Sequence, residues 1–140
     1  MKISPCLNSE ISYEIAKMGH FDQMTIADAG LPIPQEVKRI DLAVTYGIPS
    51  FQEVLEVVLA DLKLQKAYIS AETKTDNVPM YRYLVQKMQE LQVELVEIPH
   101  TELKQMTRNS KCVIRTGECK PFCNIILESF VSFDPTPITE

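Results

Sequence analysis

Apolar residues along this chain recur at two spacings, one of about 3.6 residues and one of about 2, and the two alternate from segment to segment. Ile11, Ile15 and Met18 stand at i, i+4 and i+7 in SEISYEIAKM, which predicts a helix with Asn8 as its N-cap and Gly19 as its stop. MTIADA, Met24 to Ala29, is an apolar run of strand length, closed by Gly30 and by Pro32 and Pro34, which cannot sit inside a regular ladder. IDLAV follows as a second strand, and Ser50 to Glu53 forms a capping box that opens a helix to about Leu62, with Val54, Leu55, Val58 and Leu59 inward. KAYISA, Lys66 to Ala71, is the third strand candidate. Tyr81, Leu84, Val85, Met88 and Leu91 then keep helical spacing. ELVEIP, Glu94 to Pro99, is a fourth strand, followed by a short polar helix over Thr101 to Thr107. KCVIRT and CNIILES are the last two strand candidates, with FVSF adding an edge and DPTPITE a loose tail. The alternation predicts a single α/β domain over residues 1–133, a mixed β-sheet covered by helices, with the tail at 134–140. Parallel pairing is expected from the early βαβ order, and an antiparallel edge from the short link between the last two strands.

Composition narrows the class. With 140 residues, 45% of them apolar, the chain is long enough for one core, burying roughly 68% of its unfolded surface without a disulfide or structural metal. Nineteen acidic residues against 14 Lys and Arg give a charge of −5, so the basic field that draws nucleic acid or anionic membranes is missing. The longest stretch without a charged side chain, Leu42 to Gln52, is broken by Pro49 and is short of the roughly 20 apolar residues of a membrane span. MKISPCLNSE has no apolar core of signal length, which predicts a cytoplasmic protein. Cys6, Cys112, Cys119 and Cys123 are too unevenly spaced for a disulfide framework, and Cys119 and Cys123 with two histidines match a tetrahedral zinc site poorly, so reduced thiols and no metal are expected.

Because only His20 and His100 are present, any imidazole acid/base chemistry rests on one or both. His20, in GHFDQ, has two readings: a cation complementing the preceding helix dipole, or a loop residue of a site. Asp28 in ADAGLPIP is either turn chemistry before glycine or a ligand at a strand end. His100, between a strand and a polar helix, divides in the same way. Asp41 beside Arg39 reads as half of a surface ion pair. IRTGECKPFCNIIL brings Arg115, Glu118 and Asn124 around one Gly and one Pro, and there Asn124 reads as a side chain that satisfies local backbone.

At these same residues, LNSEISYEIAKMGHFDQMTIADAGLPIP, RIDLAVTYGIPSF and VIRTGECKPFCNIIL resemble the D-ribose pyranase (RbsD) family, in its order and across Leu7 to Leu127. The L-fucose mutarotases of the same superfamily share the GH-D pattern, whereas DAGLPIP followed by RIDLA is the ribose pattern. The resemblance implies an isomerase that interconverts pyranose and furanose forms of D-ribose, supplying the furanose that ribokinase phosphorylates. It also implies no cofactor and no metal, and a ring-shaped homo-oligomer, typically a decamer of two pentamers. Carried over, the family's proton donor falls on His20 and its ligand contacts on Asp28, His100 and the closing motif, where Asn124 keeps its place but Phe122 replaces a tyrosine. A phenylalanine ring can still stack on the C–H face of a sugar. Rival readings are a mutarotase for fucose or another sugar, and a non-catalytic sugar-binding module.

Overall fold

The computed structural model describes residues 1–140 and contains six strands and five α-helices. In chain order they are α1 (Ser9–Lys17), β1 (Gln23–Ala27), β2 (Lys38–Asp41), α2 (Phe51–Asp61), β3 (Leu64–Ser70), α3 (Thr73–Asp76), α4 (Val78–Glu90), β4 (Glu94–Ile98), α5 (His100–Met106), β5 (Ser110–Arg115) and β6 (Ile125–Ser129). A single 3-10 turn, Thr107–Asn109, joins α5 to β5.

The starts of the three longest helices, α1, α2 and α4, are set by local side chains. The Asn8 carboxamide accepts from the Ile11 N–H, and Ser50 and Glu53 exchange the reciprocal bonds of a capping box. Asn77 caps α4 by accepting from Met80 N–H, with Pro79 in the first turn. Their ends differ in detail from the sequence pattern. Met18, in extended conformation, ends α1 with its own N–H bonded to the Ile15 carbonyl, so Gly19 is not needed as a left-handed stop. Leu91 caps α4 and is exposed.

All six strands join one sheet in the order β2-β5-β1-β6-β3-β4. β2, β5 and β1 run parallel, as do β3 and β4, and β6 is antiparallel to both of its neighbours. The expected antiparallel edge is therefore at the centre: β5 and β6 do not pair, because β1 lies between them. Every residue of β6 is buried, including the consecutive Ile125, Ile126 and Leu127. Such a run, apolar toward both faces, is the signature of an interior strand. FVSF adds no strand, and β2 stops at Asp41 rather than continuing through Val44.

Strand alternation divides the core. Met24, Ile26, Ile114, Ile125, Leu127, Ala67 and Ile69 face α1, α2 and α4 in the larger cluster. Ala27, Val113 and Ile126 face the opposite side with Leu103 of α5. Leu31 and Val37 complete this second face, so the segment between β1 and β2, whose prolines forbid a helix, covers the sheet as an ordered loop. No helix is long and apolar enough to cross a membrane.

Candidate active site

The candidate residues divide between the two ends of the sheet's strands. At the edge where the parallel strands end, Asp28 follows β1, His100 follows β4, and Asn124 immediately precedes the reversed strand β6. Open α/β sheets place ligands at this edge. Asp28, His100, Phe122 and Asn124 line a cavity of about 260 Å³ there, together with Lys104 and the Gly30-Leu31-Pro32 turn.

Asn124 serves not local backbone but a strand far away in sequence. Its Oδ1 accepts from the Asp28 N–H at 2.9 Å, and its Nδ2 donates to Asp28 Oδ2 at 3.0 Å. Gly30 N–H donates to the other carboxylate oxygen at 3.0 Å. The turn bond and a place in the cavity lining thus coexist at Asp28. Since an ionised carboxylate offers about four acceptor positions, both oxygens retain capacity for a ligand hydroxyl. Burial pushes the Asp28 carboxyl above its ordinary value, while Gly30, Asn124 and the charge of His100 act in the opposite direction.

His100 is the first residue of α5, one position earlier than the polar pattern places the helix. Its backbone N–H donates to Glu72 Oε2 at 2.9 Å, and its Nδ1 lies 2.7 Å from the Ser70 hydroxyl. Burial holds the imidazole below its ordinary value, and the nearby Lys104 ammonium adds to the effect. The Phe122 ring stands edge-on to it, centroids 5.0 Å apart at 83°. Phe122 has φ of 55°, a left-handed conformation uncommon for a bulky residue. It is held there because Thr73 Oγ1 donates to the Phe122 carbonyl and Asn77 Nδ2 donates to that of Pro121. The short α3 and the start of α4 exist at this edge as the mould of the Phe122 turn.

His20 lies at the other edge. It precedes β1 while Asp28 follows it, so the length of that strand, roughly 16 Å for five residues, lies between them. Its Nε2 is bonded at 2.9 Å to Gln65 Oε1 on β3, and its ring stacks on Phe21 and meets Phe130 edge-on. Phe21, at φ 71°, and the flanking Asp22 are pinned to the end of β6 by backbone bonds to Ser129. The imidazole is beyond the last turn of α1 and bonded elsewhere, so it does not serve the helix dipole. Within one chain, then, the structure gathers four of the five sequence-selected residues and leaves His20 apart.

Other partners differ from the sequence reading. Asp41 pairs with Arg115 at 3.1 Å rather than with its neighbour Arg39, and Arg115 also donates to the Ala29 carbonyl beside the site. Glu118 is buried, with its carboxylate accepting from the N–H groups of Phe51, Cys119 and Lys120, which ties the loop before Phe122 to the start of α2. Lys104 was findable, being one turn after His100 on the same helix face. Ser70 and Glu72 carried no signal, since only strand pairing brings them to His100. No group of three or more His, Cys, Asp or Glu is arranged to hold a metal ion, and the four cysteines are free.

The RbsD / FucU transport protein family model matches residues 1–132, and the chain belongs to that family. It is 51% identical over 133 residues to the D-ribose pyranase of Thermoanaerobacter sp. (strain X514), covering 95% of this chain and all of that one. The D-ribose pyranase of Enterococcus faecalis is 48% identical over the same coverage. Among solved structures, Bacillus subtilis RbsD complexed with D-ribose superposes with a TM-score of 0.90 at 38% identity, over 95% of this chain and 100% of that one.

Proposed function

We propose that this protein is a D-ribose pyranase, an isomerase that interconverts the pyranose and furanose rings of D-ribose by general acid/base catalysis. The observation that carries the reading is the convergence of Asp28, His100, Phe122 and Asn124 on one small cavity, in a chain half identical to D-ribose pyranases along their whole length.

The chemistry asks for little. Opening the pyranose moves the proton of the anomeric hydroxyl to the ring oxygen as the C1–O5 bond breaks, and closing through O4 reverses this at a different hydroxyl. The substrate supplies both nucleophile and electrophile, so no covalent intermediate with the protein is required. An imidazole titrates close enough to neutrality to take and return that proton, an effect typically worth ~10²–10⁴-fold. Asp28, Asn124, His100 and Lys104 supply acceptors and donors that hold the hydroxyls while the open chain rotates. The Phe122 ring offers an apolar face for the sugar C–H groups.

His20 is the proton carrier in this reading, and it enters the cavity from a second copy of the chain, because its own edge of the sheet is too far from Asp28. A closed ring-shaped homo-oligomer, a decamer of two pentamers, satisfies that requirement by giving every cavity one His20. The protein would act in the cytoplasm, supplying furanose to ribokinase, with residues 1–133 as the catalytic domain.

NMR saturation transfer between the anomeric signals of D-ribose tests the activity. Faster pyranose–furanose exchange with protein is expected, and binding without exchange would replace the enzyme by a sugar-binding module. Analytical ultracentrifugation at micromolar concentration should show a closed assembly. An active monomer would refute the shared site.

A further inference from the structure

Each histidine has one ring nitrogen already engaged by the fold, and the partners differ in kind. At His20 the partner is an acceptor. Glu128 is buried near the end of β6, where its two oxygens receive Gln23 Nε2 at 3.2 Å and Gln65 Nε2 at 2.9 Å. A carboxylate only accepts, so the amide of Gln65 must turn its NH₂ toward Glu128 and its oxygen toward His20. Reversing Gln65 would set oxygen against oxygen at Glu128 and donor against donor at an imidazole N–H. Gln65 Oε1 therefore receives the Nε2 proton of His20 at 2.9 Å, and the neutral ring keeps its lone pair on Nδ1.

At His100 the partner is a donor. Ser70 is fully buried, and its hydroxyl has no hydrogen-bond partner other than His100 Nδ1, at 2.7 Å. If Nδ1 carried the proton, the hydroxyl hydrogen of Ser70 would be buried without an acceptor. Ser70 thus donates to Nδ1, and the ring proton is on Nε2, the nitrogen left for the cavity that His100 lines.

We propose that Glu128 and Gln65 make Nδ1 of His20 the proton-transferring atom, and that Ser70 makes His100 a neutral Nε2–H donor that holds a sugar oxygen without transferring a proton. The proposal rests on the ring-exchange reading above and assigns roles within it. The balance of the reaction agrees with the division. A neutral imidazole that gave up its only N–H would become an anion, whereas His20 can gain a proton at Nδ1 and return it. On opening, Nδ1 takes the O1 proton as the C1–O5 electron pair moves to O5, where the His100 N–H stabilises the developing charge, and Nδ1 then delivers the same proton to O5. After rotation, Nδ1 takes the O4 proton as O4 attacks C1, and O1 is reprotonated. Gln65, Glu128 and Ser70 touch no reacting atom and are positioning residues.

The decisive measurement is the solid-state ¹⁵N spectrum of the sedimented full-length protein carrying ring-labelled histidine at pH 8, with His20→Ala and His100→Gln used only to assign the two residues. Both rings should be neutral with the proton on Nε2. A ring protonated at Nδ1 at either position overturns the proposal, whatever the activity. Gln65→Leu should release His20 into a mixture of tautomers, and Ser70→Ala should do so for His100. Each should slow ribose exchange roughly tenfold, the scale of one net hydrogen bond, with Ser70→Thr restoring the His100 signature and most of the rate. Unchanged tautomers and unchanged exchange in both variants would also overturn it. Absence of ribose exchange in the wild-type protein would instead overturn the ring-exchange reading, while the spectrum still decides the tautomers.

Discussion

Asn124 and Asp28 meet in a two-point clamp across 96 residues of sequence, the carboxamide accepting from the Asp28 backbone N–H and donating to its carboxylate. The clamp joins the end of β1 to the start of β6. It fixes the one acidic group of the cavity on two independent strands, which is the rigidity that a site needs if it is to hold an open-chain sugar during rotation.

Asp28→Asn keeps the shape but not the polarity. Its carboxamide can face Gly30 N–H with oxygen and Asn124 with NH₂, or the reverse, and either way one bond becomes donor against donor. Ribose binding should weaken about tenfold, with a stability loss of about 1 kcal/mol. Isothermal titration beside thermal denaturation checks both, and unchanged affinity with a large stability loss would reduce Asp28 to a turn residue.

His20→Ala should abolish exchange catalysis and leave fold and assembly intact, since the ring is exposed and bonds only to Gln65. The saturation-transfer assay on the folded variant is the check. Near-normal exchange there would remove His20 from the mechanism.

Phe122→Tyr restores the residue that the family resemblance leads one to expect. Phe122 lines the same cavity as Lys104 and Asp28, and a hydroxyl that bonds the sugar there should tighten ribose binding by about 0.5–1.5 kcal/mol for a net hydrogen bond. Weaker binding and slower exchange would show that the hydroxyl is buried unpaired.

His100 makes stability depend on pH. The folded protein holds this imidazole below its ordinary value, whereas the unfolded chain titrates near about 6.5. Between those values the unfolded state binds the extra proton, so stability is complete above about pH 6.5 and is lost as pH falls toward the folded-state value. Melting temperatures from pH 8 to 5 should decline for the wild type more than for His100→Gln. Parallel curves would show that another group is responsible.

Gly117→Ala should be the most damaging of these changes. A β-carbon there would fall 2.3 Å from the Ile48 carbonyl oxygen and 2.6 Å from that of Thr45, both backbone atoms. The Thr45 to Pro49 loop must move away, breaking the bonds that Gly117 makes with Gly47 and Pro49, at a cost of about 3 kcal/mol. Urea denaturation measures it.

What depends on neighbours along the chain was legible without coordinates. Asn8 and the Ser50–Glu53 box are helix starts because a capping side chain reaches backbone two or three residues away. The α/β class followed from periodicity, and the candidate side chains from residue chemistry, strand-end placement and family motifs. Sheet order was decided elsewhere. β6 is central because Ile125, Ile126 and Leu127 need apolar cover on both faces, and only the assembled helices and the loop over Leu31 and Val37 provide it. The same holds for the polar networks. Gln23 and Glu128 are 105 residues apart, Gln65 and Glu128 are 63 apart, and Ser70 and His100 are 30 apart. Such pairs leave no periodic trace, since a hydrogen bond requires only that two strands present their side chains in register. The sequence by itself thus determined which residue types could move a proton or bind a hydroxyl. The tertiary structure alone decided which ring nitrogen each histidine keeps free, and that His20 and Asp28 stand at opposite edges of the sheet, because both follow from strand direction and pairing rather than from any local preference.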